Sequence, residues 1–273
     1  MISFYRMNYF IFSQNDLGQI PPTPLIPLSQ NCDVEKPKKV LLSAAQKYGH
    51  PISFIQEQNG VLIQNILPVH KTESEQISTS SKVELALHTE TAFHPHKPDY
   101  VLLLCLRGDP NAVTTLADID DIISELDDAT IDCLMQPWYK TEVDKSFRKD
   151  DEEYSSIITS ILKSENKIDS ISCTYDYHFM KGTNDFAQLA LDIFRDLVVK
   201  NTKEIVLNSG DLLVIDNNKV VHGRKPFQAR YDGTDRWVQR MLVKKNIQNV
   251  EHITKNIVDE FETFLIQTPT SYF

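Results

Sequence analysis

An almost continuous apolar run covers Tyr100–Arg107, with no polar residue between its two ends. Such a run predicts a strand that is buried on both faces. Strand-like stretches also occupy residues 61–69 and 82–87. Residues 40–48 predict a short helix that would end at Gly49, because glycine is favoured just past a helix C-terminus. The first part of the chain is therefore predicted to be mainly β.

Residues 118–202 have a more helical pattern. Apolar residues recur there with the period of one helix face, and Asn184 is suitably placed to cap the N-terminus of that helix. The predicted stripe, which we expect to pack across a sheet, consists of Phe186, Leu189, Ala190, Ile193, Phe194, Leu197 and Val198.

Short strands return between residues 204 and 245, where β-branched runs alternate with Ser-Gly-Asp and Asp-Asn-Asn turns. Asn217 lies in the second of these turns. Antiparallel strands on both sides of a helical segment predict a mixed β fold with α, in which a double-stranded β-helix (jelly-roll) core carries flanking helices. We predict a single domain over residues 1–273, with a helical insertion at about 118–202.

Composition narrows the function classes. The formal net charge is −10 and the basic residues form no run, so the chain lacks the positive surface that nucleic acid or anionic lipid requires. No stretch reaches the roughly 18 apolar residues that span a membrane. Cys32, Cys105, Cys133 and Cys173 form no CxxC pair, which excludes a zinc ribbon. We expect a soluble, cytoplasmic protein with reduced thiols and neither nucleic acid nor membrane as a partner.

A candidate metal site begins with His88-Thr89-Glu90, because residues two apart on a strand point to the same face. Taken alone, the pair also suits a solvated strand edge. His222 lies 134 residues beyond His88, and a His-x-Glu with a distant histidine is the composition of the triad that holds Fe(II) on one face. A single histidine is more often an interior residue with satisfied hydrogen bonds, so both readings stay open here.

Two arginines follow His222. On a strand, Arg236 and Arg240 would share one face with Val238 between them. Buried arginines are costly unless each meets an anion, and the guanidinium fork matches a carboxylate. Salt bridges to neighbouring acids at an exposed sheet edge explain the spacing equally well.

Several stretches resemble a known family. SSKVELALHTE, AFHPHKPDYV and the VVHGR…DGTDRW block occur in order between Gly49 and Lys245. They are similar to the clavaminate synthase-like Fe(II)/2-oxoglutarate dioxygenases, and most similar to the hydroxylases of free amino acids such as arginine and asparagine. The resemblance implies Fe(II) as cofactor, with 2-oxoglutarate and O2 as cosubstrates.

The resemblance also implies roles for particular residues. The iron ligands fall on His88, Glu90 and His222, and 2-oxoglutarate is expected at Arg236 with the hydroxyl of Thr115.

The implied amino acid contacts lie around the same residues. The α-carboxylate falls on Arg240, and the α-amino group falls on Glu90 and on the segment 56–58, which contains Glu57 and Gln58. Glu57 stands where the family usually has glutamine, so the partner within this segment stays open. Ser78 lies in a loop that touches substrate in this family.

The lid segment that grips basic side chains in this family falls on Thr174-Tyr175-Asp176. Only one of its two acids is present, and a single carboxylate suits a compact ammonium better than a guanidinium. Lysine is therefore favoured, arginine is next, and ornithine, citrulline or asparagine follow. A purely turn-capping role for Asp176 is an equal alternative.

The reaction that the resemblance implies is hydroxylation of an unactivated C–H bond, at C3 or C4 of a free L-amino acid, with release of succinate and CO2. The alternatives are a neutral amino acid substrate, a desaturase or cyclising oxygenase on the same scaffold, and a non-catalytic jelly-roll binding protein.

Overall fold

Two antiparallel sheets face each other in the computed structural model, which describes residues 8–29, 34–54, 56–144, 147, 157–164 and 171–246. The larger sheet has the strand order β1-β13-β5-β15-β2, and β3 also pairs with β15. Its strands are β1 (Tyr9–Phe12), β2 (His50–Ile52), β3 (Gln64–Ile66), β5 (Tyr100–Arg107), β13 (Leu212–Asp216) and β15 (Trp237–Lys244).

The smaller sheet has the order β12-β6-β14-β4. Its strands are β4 (Leu85–His88), β6 (Thr114–Asp118), β12 (Lys203–Ile205) and β14 (Val220–Arg224). In its antiparallel register His222 lies opposite His88 on one side and opposite Leu116 on the other. Two paired sheets with this connectivity confirm the predicted jelly-roll core.

The strand β5 shows how the core is organised. Val101, Leu103 and Cys105 point into the core between the two sheets. The alternate residues Leu102, Leu104 and Leu106 pack beneath helix α1 (Glu35–Ala45) on the outer face of the larger sheet. All six are buried, so the predicted strand with two buried faces is confirmed.

A second helical layer covers the smaller sheet. It consists of α2 (Ile119–Ile123), α3 (Asp128–Leu134) and α4 (Asp185–Lys200), which pack with Ala117, Val221 and Leu87 of that sheet. The segment predicted to be helical also contains short strands: β7 (Tyr139–Thr141), β8 (Ile157–Thr159), β9 (Leu162–Ser164), β10 (Ile171–Cys173) and β11 (Lys181–Gly182).

Helix α4 begins as predicted, since the side chain of Asn184 accepts a hydrogen bond from the Ala187 backbone N–H at 2.9 Å. The predicted buried stripe is partly wrong. Phe186 is 78% exposed and Leu189 is 61% exposed, whereas Ala187 and Leu191 are buried together with Ala190, Phe194 and Val198. The apolar arc of this helix is wider than its contact with the sheet, so the periodicity alone misplaces the buried edge.

Helix α1 starts earlier than predicted and ends before Gly49, where the chain turns into β2. Gly49 has φ +145°, and a Cβ there would lie 2.4 Å from the Lys244 carbonyl oxygen, so this close approach requires glycine. Cys105, Cys133 and Cys173 form no disulfide, and Cys32 lies outside the described residues. In the described part of the chain, no helix has the length and apolar character needed to cross a bilayer.

Candidate metal and amino acid site

His88, Glu90 and His222 converge at one end of the smaller sheet. Each offers a ligand atom, and the three atoms lie within 4.8 Å of one another. His88 ends β4 and His222 is the middle residue of β14, so the strand pairing places their rings 4.6 Å apart between centroids. The structure therefore brings together the three ligands expected from the sequence.

The donor set fits a divalent iron ion. The Nδ1 atom of His88 lies 2.7 Å from the Ala86 carbonyl oxygen, a contact that suits an N–H donor and leaves Nε2 as the ring nitrogen that can face a metal. The Nε2 atom of His222 lies 3.6 Å from Glu90 Oε2. Burial lowers the pKa of His222 and favours its neutral, ligating form. Two imidazoles and one carboxylate match the set that binds non-haem Fe(II).

Glu90 is ionised in this site. Burial alone would raise the pKa of its carboxyl group, but the nearby Arg240 guanidinium and the two imidazoles outweigh burial and hold that pKa well below its usual range. A carboxylate that stays deprotonated is the form a metal requires.

A cavity of about 200 Å³ adjoins this triad. Its walls come from the two sheets and from the loops at residues 56–58 and 77–79. Of the residues predicted for cosubstrate and substrate, it is lined by Glu57, Gln58, Ser78, Arg236 and Arg240. Gln58 also braces the loop, because its side chain forms two hydrogen bonds with the Asn65 backbone.

Arg236 directly precedes β15 and faces the cavity with only 7% of its surface exposed. Among the described residues it has neither a hydrogen bond nor an ion pair. Burial lowers the pKa of its guanidinium, as expected for a cation that has lost water without gaining a carboxylate. This arrangement favours an anion from outside the protein at this position.

Arg240, unlike Arg236, is already paired within the protein. Its Nη1 donates to Glu90 Oε1 at 2.8 Å and its Nη2 to Glu57 Oε1 at 2.8 Å. Its Nε donates to Gln64 Oε1 at 2.8 Å. The sequence left two kinds of partner open for these arginines, the anion of a ligand or neighbouring acids, and Arg240 pairs with neighbouring acids. The reason is that β3 and the loop before it place Gln64 and Glu57 beside it.

The threonine expected at the cosubstrate also needs correction. On β6, Leu116 faces the core between the sheets and Ala117 faces the helices. Side chains alternate along a strand, so Thr114 shares the inner face with Leu116 and lines the cavity, while Thr115 points outward with Ala117. The Oγ1 atom of Thr114 is buried and has no hydrogen-bond partner within the described residues.

Asp176 caps a turn: its Oδ1 accepts hydrogen bonds from the backbone N–H groups of His178 and Phe179, both at 2.8 Å. It also lines a small second cavity of about 30 Å³ next to His88 and Glu90. Both predicted roles are thus compatible with its position.

Two further residues at the cavity were not predicted. Asp144 follows β7 and lines both cavities, and no sequence motif marked it. Arg224 lines the larger cavity and donates to Ser80 Oγ at 2.9 Å and to the Ser78 carbonyl at 3.2 Å. Its position two residues after His222 on the same strand would have revealed it, because the two side chains share a face.

Comparison with known proteins agrees with this geometry. The family model described as "Taurine catabolism dioxygenase TauD, TfdA family" matches residues 30–242. An enduracididine beta-hydroxylase of Streptomyces hygroscopicus is 34% identical over 75% of this chain and 66% of its own length. An L-asparagine oxygenase of Streptomyces coelicolor is 33% identical over 84% and 68%, and an L-lysine 3-hydroxylase of Catenulispora acidiphila is 31% identical over 82% and 63%. The chain thus spans about two thirds of the length of these relatives.

Solved structures are similar over most of the chain. Asparagine oxygenase in complex with Fe(II), hydroxyasparagine and succinate has a TM-score of 0.80 and 32% identity, covering 89% of this chain and 76% of that one. The non-heme iron oxygenase OrfP with Fe and alpha-ketoglutaric acid has a TM-score of 0.80 and 32% identity, covering 92% and 79%.

Proposed function

Because the chain belongs to the TauD/TfdA family of dioxygenases, we propose that it hydroxylates a free L-amino acid with Fe(II), 2-oxoglutarate and O2. The family confirms the resemblance recognised in the sequence motifs. The observation that carries the proposal is the triad of His88, Glu90 and His222 beside a cavity whose lining includes Arg236 and Arg240. Bound iron would supply the redox chemistry by which O2, 2-oxoglutarate and the amino acid give succinate, CO2 and a hydroxylated amino acid.

The 2-oxoglutarate site is proposed at the unpaired Arg236. Its guanidinium would bind the carboxylate remote from the metal, and the Thr114 hydroxyl would donate a further hydrogen bond. Arg224 adds positive charge at the same end of the cavity: burial and then the neighbouring Arg236 lower the pKa of its guanidinium to about 9. Two cations that have no carboxylate partner in the described ranges favour a dianionic ligand there.

The amino acid is proposed to bind at the pair of Arg240 and Glu57. Arg240 would accept the α-carboxylate, and Glu57 with Glu90 would face the α-ammonium group. Since the two carboxylates already compensate Arg240, a carboxylate entering alone would add unbalanced negative charge to a buried site. A zwitterion adds none, so the site favours free amino acids over blocked ones.

We expect that blocking either end of the amino acid removes activity. Nα-acetyl and carboxamide derivatives of the best substrate should give no succinate above the level formed without amino acid, because each lacks one charge of the zwitterion. Succinate is measured by chromatography, with the free amino acid and its blocked derivatives supplied at equal concentrations. An Nα-acetyl derivative that is turned over as fast as the free amino acid would contradict this placement.

The side chain of the substrate is proposed to enter the second cavity, where Asp144 and Asp176 supply negative charge. Ser78 lines the larger cavity and lies close to the loop that Arg224 holds. An acidic wall favours a cationic side chain, so L-lysine is the favoured substrate and L-arginine the next.

The test of the function is a panel of free L-amino acids incubated with Fe(II), ascorbate and 2-oxoglutarate. We expect succinate to form most rapidly with lysine or arginine. The product should gain one oxygen, whereas a loss of two hydrogens would identify a desaturase. Succinate formation that does not depend on the amino acid would reject the substrate class, and most rapid turnover of asparagine or citrulline would reject a basic substrate.

Asp144→Asn and Asp176→Asn should lower kcat/KM for lysine by about tenfold or more, because a hydrogen bond to a charged group contributes about 1.5–3 kcal/mol. Asparagine in place of aspartate keeps the oxygen that caps the turn at Asp176, so the loss reports charge rather than folding. The value for a neutral amino acid should change little. If kcat/KM falls equally for free lysine and for free asparagine as substrates, these aspartates do not select a charged substrate side chain.

A further inference from the structure

We propose that Asn217 is a positioning residue that sets the metal-binding carboxylate of Glu90 relative to His222. This inference rests on the proposed iron site and goes beyond it, because Asn217 neither binds the metal nor lines the cavity. The turn that contains it was predicted only as a connection between strands.

The side chain of Asn217 is fully buried, with 0% exposure, and it holds the backbone of Glu90 at both ends. Its Oδ1 accepts the Glu90 N–H at 2.7 Å, and its Nδ2 donates to the Glu90 carbonyl at 3.2 Å. A further bond runs from Nδ2 to the Pro98 carbonyl at 2.8 Å. The amide thus replaces the neighbouring strand that would otherwise satisfy these backbone groups.

The segment around Glu90 needs such support. Strand β4 ends at His88, so Glu90 lies beyond the regular ladder. Thr91 then adopts φ +51°, a left-handed conformation that is unusual for a β-branched residue. Residues in such regions cost on the order of 1–3 kcal/mol and persist only where their surroundings hold them. The Asn217 side chain contributes to that restraint, together with the hydrogen bond from the Thr89 N–H to the Tyr175 carbonyl.

Asn217 is itself firmly placed. Its N–H donates to the Asp99 carbonyl at 2.9 Å, and its own carbonyl accepts a bond from Lys97 Nζ at 2.9 Å. Its turn leads directly into β14, in which His222 is the third residue. One side chain therefore connects the segment of one metal ligand to the strand of another, across 127 residues of sequence.

Loss of the amide should reduce metal affinity for a definite reason. Without it, the buried Glu90 N–H loses its partner and the Glu90 carbonyl keeps only the bond from the Thr91 hydroxyl, so the strained segment can relax. The Glu90 carboxylate, which already pairs with Arg240, could then turn away from His222. Residues that orient metal ligands typically change metal affinity or activity by about 10–100-fold when they are replaced.

The experiment is a titration of the metal-free full-length protein with Co(II), followed by its d–d absorption and by competition with a chelator. Asn217→Ala should raise the Kd for Co(II) by about 10–100-fold. Asn218→Ala is the matched control, because Asn218 lies in the same turn, donates to Asp99 Oδ1 at 3.1 Å and has no bond to Glu90. Its Kd for Co(II) should stay close to that of the unchanged protein, because the bond it loses does not reach a metal ligand. Equal values for the two variants would overturn the proposal.

A second pair of variants separates the effect of the lost Asn217 hydrogen bonds on Co(II) binding from the effects of added charge and of lower protein stability. Asn217→Asp and Asn218→Asp add the same negative charge one residue apart, and that charge by itself strengthens cation binding. Asn217→Asp should nevertheless bind Co(II) more weakly than the unchanged protein, since it loses both Nδ2 bonds, whereas Asn218→Asp should not. Tighter binding by both would overturn the proposal, and this pair decides the outcome if Asn217→Ala does not fold.

The proposed function fails in a different way. If the unchanged protein binds no Co(II), the metal site itself is refuted. It is also refuted if the His222→Ala variant binds Co(II) as tightly as the unchanged protein. If the unchanged protein binds Co(II) through His222 and Asn217→Ala binds it equally well, only the role of Asn217 is refuted.

Discussion

Replacement of His222 by alanine is expected to abolish amino-acid-dependent succinate formation and stoichiometric metal binding together. His222 contributes one of three ligand atoms that lie within 4.8 Å of each other, and it is the only one on β14. Alanine offers no ligand atom, and the two remaining side chains do not complete the three-ligand set that holds Fe(II) on one face. The measurements are succinate formation with the best amino acid of the panel and the metal content after dialysis.

The control for this change is His50→Ala. His50 is an exposed histidine at the start of β2, where it lies opposite Lys244 of β15 and lines neither cavity, so its replacement should leave activity and metal content unchanged. Circular dichroism of both variants checks that the sheets are formed. Folded His222→Ala protein that still forms succinate in response to the amino acid would refute the metal site.

Arg236→Met should raise the KM for 2-oxoglutarate by about 30-fold or more. Truncation of one partner of a buried, hydrogen-bonded charge pair costs about 2–5 kcal/mol, and each 1.4 kcal/mol is a factor of ten. The same change should leave the melting temperature of the ligand-free protein equal or higher, because it removes a buried cation that has no carboxylate partner among the described residues. Initial rates against 2-oxoglutarate concentration and thermal unfolding measure the two effects.

Arg240→Met provides the matched comparison on the same strand. It removes a cation that pairs with Glu57 and Glu90, so both carboxylates are left buried and unpaired. Breaking a buried pair in this way costs about 3–5 kcal/mol. We therefore expect Arg240→Met to destabilise the ligand-free protein and Arg236→Met not to. An unchanged KM for 2-oxoglutarate in Arg236→Met would refute the cosubstrate site.

Much of the architecture could be predicted because the signals are local. The apolar run at Tyr100–Arg107 is a strand with the predicted ends, and Asn184 caps α4. The short strands after residue 204 also appear where the turns predicted them. Side-chain periodicity and capping depend on neighbours a few residues away, so the sequence carries them directly. The periodicity did not identify which apolar residues of α4 are buried, because that depends on the residues against which the helix packs.

Residue types and spacing allowed a metal site without deciding it, and the resemblance to a known family assigned the candidate ligands. Their surroundings were not predicted. Thr114 and Thr115 are adjacent and chemically equal, and only the direction of β6 selects Thr114 for the cavity. Asp144 carried no motif. These assignments require knowledge of which face of each strand turns inward.

The sequence by itself thus determined the jelly-roll elements, because they are encoded in local pattern, and its resemblance to a known family singled out the three residues of the triad. The tertiary structure alone decided which charges meet. Arg236 has no carboxylate partner within the part of the chain that the structure describes, whereas Arg240, four residues later, is paired with Glu57 and Glu90. It also placed Asn217 against the backbone of Glu90. Contacts between segments more than a hundred residues apart depend on strand register and sheet packing, which no local pattern specifies.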